Sequence, residues 1–158
     1  AAALLALVQV PLHLVRLRGW YHPNVWQKPL LWVLYLAYGW LIVGFALKFL
    51  SVAAGISAFL AVHAFAYGGI GVITVGMMAR VTLGHTGRNV AEPPSWVSVI
   101  FGLLLIGTLV RVVAVWLLPQ FYAFWILAAQ LIWIAAFVLF VWLYAPMLIK
   151  PRVDGRYG

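Results

Sequence analysis

This sequence predicts an all-α fold lying within a membrane, a polytopic bundle of about five transmembrane helices. Three observations carry that prediction. The chain is 67% hydrophobic and only 8% charged, with a mean hydropathy of +1.11, whereas about a quarter of the residues in a soluble domain are charged. Its apolar runs approach or exceed the ~20 residues that a helix needs to cross a bilayer. Its basic residues, 10 Lys and Arg against 2 Asp and Glu, stand mostly at the ends of those runs, where membrane proteins keep their orientation charges.

The first run, residues 1–15, is apolar apart from Gln9 and His13 and ends at Arg16 and Arg18. It is short for a span, as expected of a helix met partway along its length. Gln9 and His13 stand four apart and share a face, which allows a hydrogen bond between them. Residues 19–29 (GWYHPNVWQKP) read as a loop. Its Pro-Asn step breaks the helix, Trp20, Tyr21 and Trp26 suit the membrane–water interface, and His22 is expected in solvent.

Residues 30–49 form the second span, with Lys48 positioned to snorkel toward the headgroups. After a short connection over residues 51–55, the third span covers residues 57–81. A polar loop over residues 82–95 (TLGHTGRNVAEPPS) follows, and Ser95 is placed to cap the next helix. The fourth span, residues 96–118, is interrupted by Arg111. Pro119 and Gln120 turn the chain into a long fifth span, residues 121–148, and a basic tail, KPRVDGRYG, follows it.

The charges also predict an orientation. Arg16, Arg18, Lys28, Arg80, Arg88, Lys150, Arg152 and Arg156 belong to one side, and Lys48 alone to the other. The positive-inside bias puts the C-terminus in the cytoplasm and the N-terminus outside.

Several functions are excluded by composition. No basic stripe interleaved with exposed aromatics exists, so nucleic acid is not an expected partner. The absence of cysteine removes disulfides, thiolate metal sites, iron–sulfur clusters and covalent c-type haem attachment. Glu92 and Asp154 are the only acids and both lie outside the spans, so acid–base hydrolysis has no machinery. Enzyme activity is not the favoured expectation.

The segment 63–88, HAFAYGGIGVITVGMMARVTLGHTGR, carries the remaining chemistry. On a helical wheel His63, Tyr67, Ile70, Thr74, Met77 and Val81 fall within about 40° of one line, and His85 joins them if the helix runs one turn further. A second face collects Ala61, Ala64, Gly68, Gly71 and Ala79, small residues that let a neighbouring helix approach closely. An imidazole in hydrocarbon requires a partner. For His63 the residues leave three readings open: a helix–helix hydrogen bond to Gln130 or Tyr67, a haem or metal ligand, or part of a proton or substrate path.

Met77 and Met78 fill space in apolar packing by default, although thioethers also suit Cu(I). His63 and His85 are 22 residues apart, about 33 Å along a helix, so they cannot share one metal. Arg111 stands about 10 Å inside the end of its helix, at a depth similar to His63. It either snorkels or meets an anion, and a haem propionate is the obvious anion if His63 binds iron.

The same segment resembles the NnrS family of polytopic membrane proteins, described as containing haem and copper. The pattern is matched at His63, Gly71, Thr74, Met78, Arg80 and the LGHTGR signature of Leu83, Gly84, His85, Thr86, Gly87 and Arg88. The stretches KPLLWVLYLAYGWL at residues 28–41 and APMLIKPRVDGR at residues 145–156 look familial too, so the likeness covers essentially the whole chain.

The resemblance implies a protein of about a dozen helices, of which this single membrane domain, residues 1–158, is the C-terminal part. It implies the bacterial inner membrane, a role in the nitric oxide or nitrosative-stress response associated with denitrification, and partners in the lipid bilayer, nitric oxide and the N-terminal half of the same protein. Combined with the residues, it places a haem site at His63, Arg111 and Tyr67. It places metal ligands among His63, His85, Met77 and Met78, with Arg80, Gly84, Thr86, Gly87 and Arg88 completing the motif. Two other readings stand beside it. One is a redox enzyme related to the haem–copper nitric oxide reductases, for which four scattered histidines are too few. The other is a transporter or permease segment using Arg111 as a substrate or counter-ion site.

Overall fold

The computed structural model describes residues 2–156, and helices are its only regular elements among them. Five are long and apolar enough to cross a membrane: α1 (Ala2–Gly19), α2 (Pro29–Ala53), α3 (Ala58–His85), α4 (Trp96–Leu117) and α5 (Tyr122–Ile149). The chain is thus a multi-pass membrane protein.

One expected boundary moves and one expected cap does not form. The third helix continues one turn beyond Val81 to His85, because no residue with a helix-breaking conformation is reached before Gly87 (φ +74°). Ser95 stands at the start of α4 as expected, but its hydroxyl makes no capping bond.

Helix α1 packs mainly on α2, which packs along α3, while α4 and α5 pair with each other and close against α3. One core cluster joins Val33 and Ala37 of α2, Val75 and Ala79 of α3, Ile100 and Phe101 of α4, and Ala136 and Tyr144 of α5. A smaller one joins Leu47, Leu60, Ala61, Ala64 and Val112 near the opposite end. Lipid provides no hydrophobic drive between helices, so close packing must hold them together. The small-residue face of α3 supplies it: Ala61, Ala64, Gly68 and Ala79 are all buried.

Polar ties gather at one end of the bundle. Lys28 Nζ donates to the Ala91 carbonyl at 3.0 Å, which joins the first and third connections. Arg16 lies over the Trp20 ring, 5.0 Å from its centroid. His22 is exposed, and its Nδ1 accepts the Asn24 N–H at 3.3 Å. His13 finds a different partner from the one expected. It hydrogen-bonds the Tyr38 hydroxyl on α2 rather than Gln9 and stacks on Phe45, with centroids 5.3 Å apart. A neighbouring helix thus satisfies this imidazole.

Candidate functional site

Helix α3 is not a uniform α-helix. From Ala64 to Gly71 it widens into a π-helical stretch, and His63 is the residue before it. Three glycines of this stretch, Gly68, Gly69 and Gly71, let neighbouring side chains press against the backbone. A Cβ on Gly68 would lie 2.6 Å from Thr108 Cγ2 and 2.7 Å from the Trp40 ring, and one on Gly71 would lie 2.7 Å from Trp133. Helix α4 widens in turn from Val110 to Ala114. Just before it, the buried Thr108 hydroxyl donates to the Leu104 carbonyl at 2.8 Å, a back-bond that loosens helices. Local π-helical turns inside helices occur frequently at functional sites.

The two distortions bring one side chain from each helix together. Arg111 Nη2 lies 3.0 Å from His63 Nε2. Arginine can only donate, so His63 Nε2 accepts and the imidazole is the neutral tautomer with its proton on Nδ1. Arg111 Nη1 is buried without a partner. The guanidinium therefore retains donor capacity that the described residues leave unused. Neither Gln130 nor Tyr67 is the partner of His63. The Tyr67 hydroxyl donates instead to the Ala129 carbonyl at 3.0 Å, and its ring packs edge-on to Trp133 with centroids 4.3 Å apart. Gly107 lies beneath that phenol, where any side chain would meet the hydroxyl.

His63 and Arg111 form a wall between two hollows. One, of about 430 Å³, is lined by Ala66, Tyr67, Ala129, Gln130, Trp133 and Ile134 together with the pair. Ala66, Gln130 and Ile134 are exposed, so this hollow opens on the outer face of the bundle. The other, of about 350 Å³, lies toward the connecting turns at Ser57 and Pro119. The expected trio of His63, Tyr67 and Arg111 therefore does meet in one place. Gln130 and Trp133 join it. Gln130 is a polar residue in an otherwise apolar run, a signal that the sequence does carry; Trp133 has none.

The other expected ligands lie apart from them, as the 22-residue separation of His63 and His85 requires. Met77 and His85 line a separate hollow with Arg80, Gly84 and Val90, far along α3, and Met78 is absent from its lining. Ile70, Thr74, Met77 and Val81 are exposed, whereas His63 and Tyr67 point into the first hollow. The wheel that put all six on one line assumed a constant α-helical pitch, and the π-helical stretch breaks that register. Among the described residues, no group of three or more His, Cys, Asp or Glu side chains is placed to hold a metal ion.

The LGHTGR signature is a helix stop. Gly87 takes a left-handed conformation (φ +74°), its N–H donates to the Gly84 carbonyl at 3.2 Å, and the Arg88 N–H donates to the Leu83 carbonyl at 2.9 Å. This is the paired bonding of a Schellman cap, with glycine where a Cβ is penalised. The Thr86 hydroxyl donates to the Thr82 carbonyl at 2.7 Å. The tail fastens onto this turn. Val153 N–H donates to the Thr86 carbonyl at 3.2 Å, and Arg152 Nη1 donates to the His85 carbonyl at 3.0 Å. Arg152 also grips Asp154 through two contacts of 2.9 and 2.6 Å. That grip holds the Asp154 carboxyl well below its ordinary range and raises the Arg152 guanidinium.

Comparison with curated proteins and with solved structures gives no match. The family model described as NnrS protein matches residues 1–152, nearly the whole chain. The chain belongs to the NnrS family, membrane proteins of the nitric oxide response.

Proposed function

We propose that the hollow beside His63 and Arg111 is a haem site of a bacterial inner-membrane protein, which binds or senses nitric oxide rather than turning it over. One observation carries this reading: an imidazole and a guanidinium with an unspent donor share the wall of an apolar hollow of about 430 Å³. Ala66, Ala129, Trp133 and Ile134 offer the apolar surface that a porphyrin face requires, and Tyr67 stiffens one side through its bond to α5.

The residues fit, with one condition. The lone pair on His63 Nε2 that would ligate iron is the one receiving the Arg111 hydrogen bond. Arg111 must therefore turn from His63 to a propionate, trading a neutral acceptor for a charged one, and charge-assisted bonds are roughly twice as strong. When bound, haem would supply an iron able to take up nitric oxide; His63 would hold the group, Arg111 would orient it, and the surrounding apolar residues would exclude water. By the charge bias, the tail lies in the cytoplasm.

Copper does not fit the residues present. Met77 and His85 bring one thioether and one imidazole to a hollow that also holds the Arg80 guanidinium. No step is assigned to it.

The optical spectrum of the intact protein tests the haem reading. A Soret band that shifts on adding nitric oxide, and is lost in His63→Ala, is expected. An unchanged band in that variant overturns the assignment. A second reading, passage of a small anion, draws on Arg111 standing between two hollows. It predicts a colourless protein whose anion flux in vesicles depends on Arg111.

A further inference from the structure

Another hollow, unconnected with the histidine–arginine pair, lies where the tail meets the end of α3. It has a volume of about 430 Å³ and is lined by Lys150, Arg152, Arg156 and His85 beside Leu148. Among the described residues, Asp154 is the only acid at this place. It is committed to Arg152 through both carboxylate oxygens and accepts the Arg156 N–H at 3.2 Å. Arg152 is further committed to the His85 carbonyl. Among the described residues, the side chains of Lys150 and Arg156 have no hydrogen-bond or ionic partner. Three cations thus face one carboxylate, and two of the three are unspent.

The backbone between these cations is anchored. Arg152 and Val153 are pinned to the Schellman turn at His85 and Thr86, so Lys150 and Arg156 are held on either side of a clasp. Immediately before Lys150, Leu148 is 64% exposed and Ile149 is 82% exposed. These residues end a transmembrane helix, so an apolar surface for an acyl chain runs directly into a cationic hollow for a headgroup. Basic pockets at helix ends on one membrane face are suited to anionic lipid headgroups.

We propose that this hollow binds a phosphate-ester anion, and that the headgroup of an anionic phospholipid supplies it. The adjoining Leu148 and Ile149 favour an amphiphile over a soluble anion. Lys150 and Arg156 meet the phosphate, Arg152 holds the clasp, and the tail thereby reads the lipid at the end of α3.

The test uses the intact protein in nanodiscs of phosphatidylcholine alone or of phosphatidylcholine with phosphatidylglycerol, and in neutral detergent with inorganic phosphate. Lys150 acylation by an amine-reactive ester is followed by peptide mass spectrometry. Reactivity several-fold lower with phosphatidylglycerol than with phosphatidylcholine is expected. The variant Lys150→Gln with Arg156→Gln should retain about tenfold less phosphatidylglycerol on extraction, while Lys150→Arg with Arg156→Lys should retain it. Protection by inorganic phosphate alone supports the same chemistry with a soluble source. Equal Lys150 reactivity in all three conditions overturns the proposal, and because that measurement needs only the native protein, it stands even if a variant fails to fold. Its failure leaves the haem reading untouched, since no residue is shared.

Discussion

Arg111 of α4 donates to His63 of α3 across 3.0 Å, and each residue stands at or within a π-helical stretch of its helix. The contact links the two distortions, and its cost is visible in Nη1, buried with no acceptor. Arg111→Leu removes an expensive charge from the membrane interior and leaves a neutral imidazole behind. The expected outcome is a split: thermal stability without haem changes by no more than about 1 kcal/mol, because a buried charge paired on one side contributes little net stability, while haem retention falls at least tenfold. Haem retention equal to wild type would remove Arg111 from the site.

Close backbone approach around the site gives a contrast between two glycines. A Cβ on Gly68 meets Thr108 and Trp40 at 2.6 and 2.7 Å, while one on Gly39 meets nothing within 4 Å. Gly68→Ala is expected to destabilise by about 1–3 kcal/mol through overpacking. Gly39→Ala is expected to stabilise by about 0.5–1 kcal/mol, since Gly in a helix interior is the poorer helix former. Thermal unfolding in detergent reads both, and equal shifts would contradict the packing around Gly68.

How far these features were legible follows from what each depends on. The five helices were readable because a bilayer demands long apolar runs, and the buried face of Ala61, Ala64, Gly68 and Ala79 because only small residues allow close approach in lipid. The nearness of His63 and Arg111 was readable because their depths agree. That Arg111 contacts the imidazole itself was not, since it depends on two π-helical stretches that no periodicity announces. The stretch in α3 also breaks the register that set Met77 on one line with His63. The docking of the tail on LGHTGR was hidden for another reason. Asp154, which lies against Gly87, stands 67 positions beyond it.

That tail contact is sensitive to acid. The carboxyl of Asp154 is held low by the Arg152 hydrogen bonds, so its contribution is fully present above the ordinary carboxylate pKa of about 3.9. It is lost as pH falls from there through the lowered value. Asp154→Asn should release the tail at neutral pH, read as faster hydrogen exchange at the Val153 amide. In the native protein that amide should stay protected down to about pH 4. Exchange rising between pH 7 and 5 in the native protein would contradict the pairing.

The same tail contact depends on Gly87, whose φ of +74° places its α-carbon against the Asp154 carboxyl, 2.7 Å from where a Cβ would stand. Gly87→Ala is therefore strained twice, by the left-handed backbone at about 1–2 kcal/mol and by the contact. Hydrogen exchange should rise at Val153 and at Arg88, whose N–H bonds the Leu83 carbonyl. Unchanged exchange at both amides would mean that the turn holds without its glycine.

Two tyrosines make the same substitution predict opposite signs. Tyr67 donates its hydroxyl to the Ala129 carbonyl, so Tyr67→Phe loses a bond and should cost about 0.5–1.5 kcal/mol. Tyr144 is 1% exposed, stacks on Phe140 with centroids 4.6 Å apart, and has a buried hydroxyl with no partner among the described residues. A buried unsatisfied hydroxyl carries a desolvation penalty of about 1–3 kcal/mol, and Tyr144→Phe removes it while keeping the ring. That variant should match or exceed the stability of the native protein, whereas Tyr67→Phe should fall below it. A stability loss in Tyr144→Phe would show that the Tyr144 hydroxyl has a bonding partner in the assembled protein, and the partner would have to come from water or from a helix beyond these five.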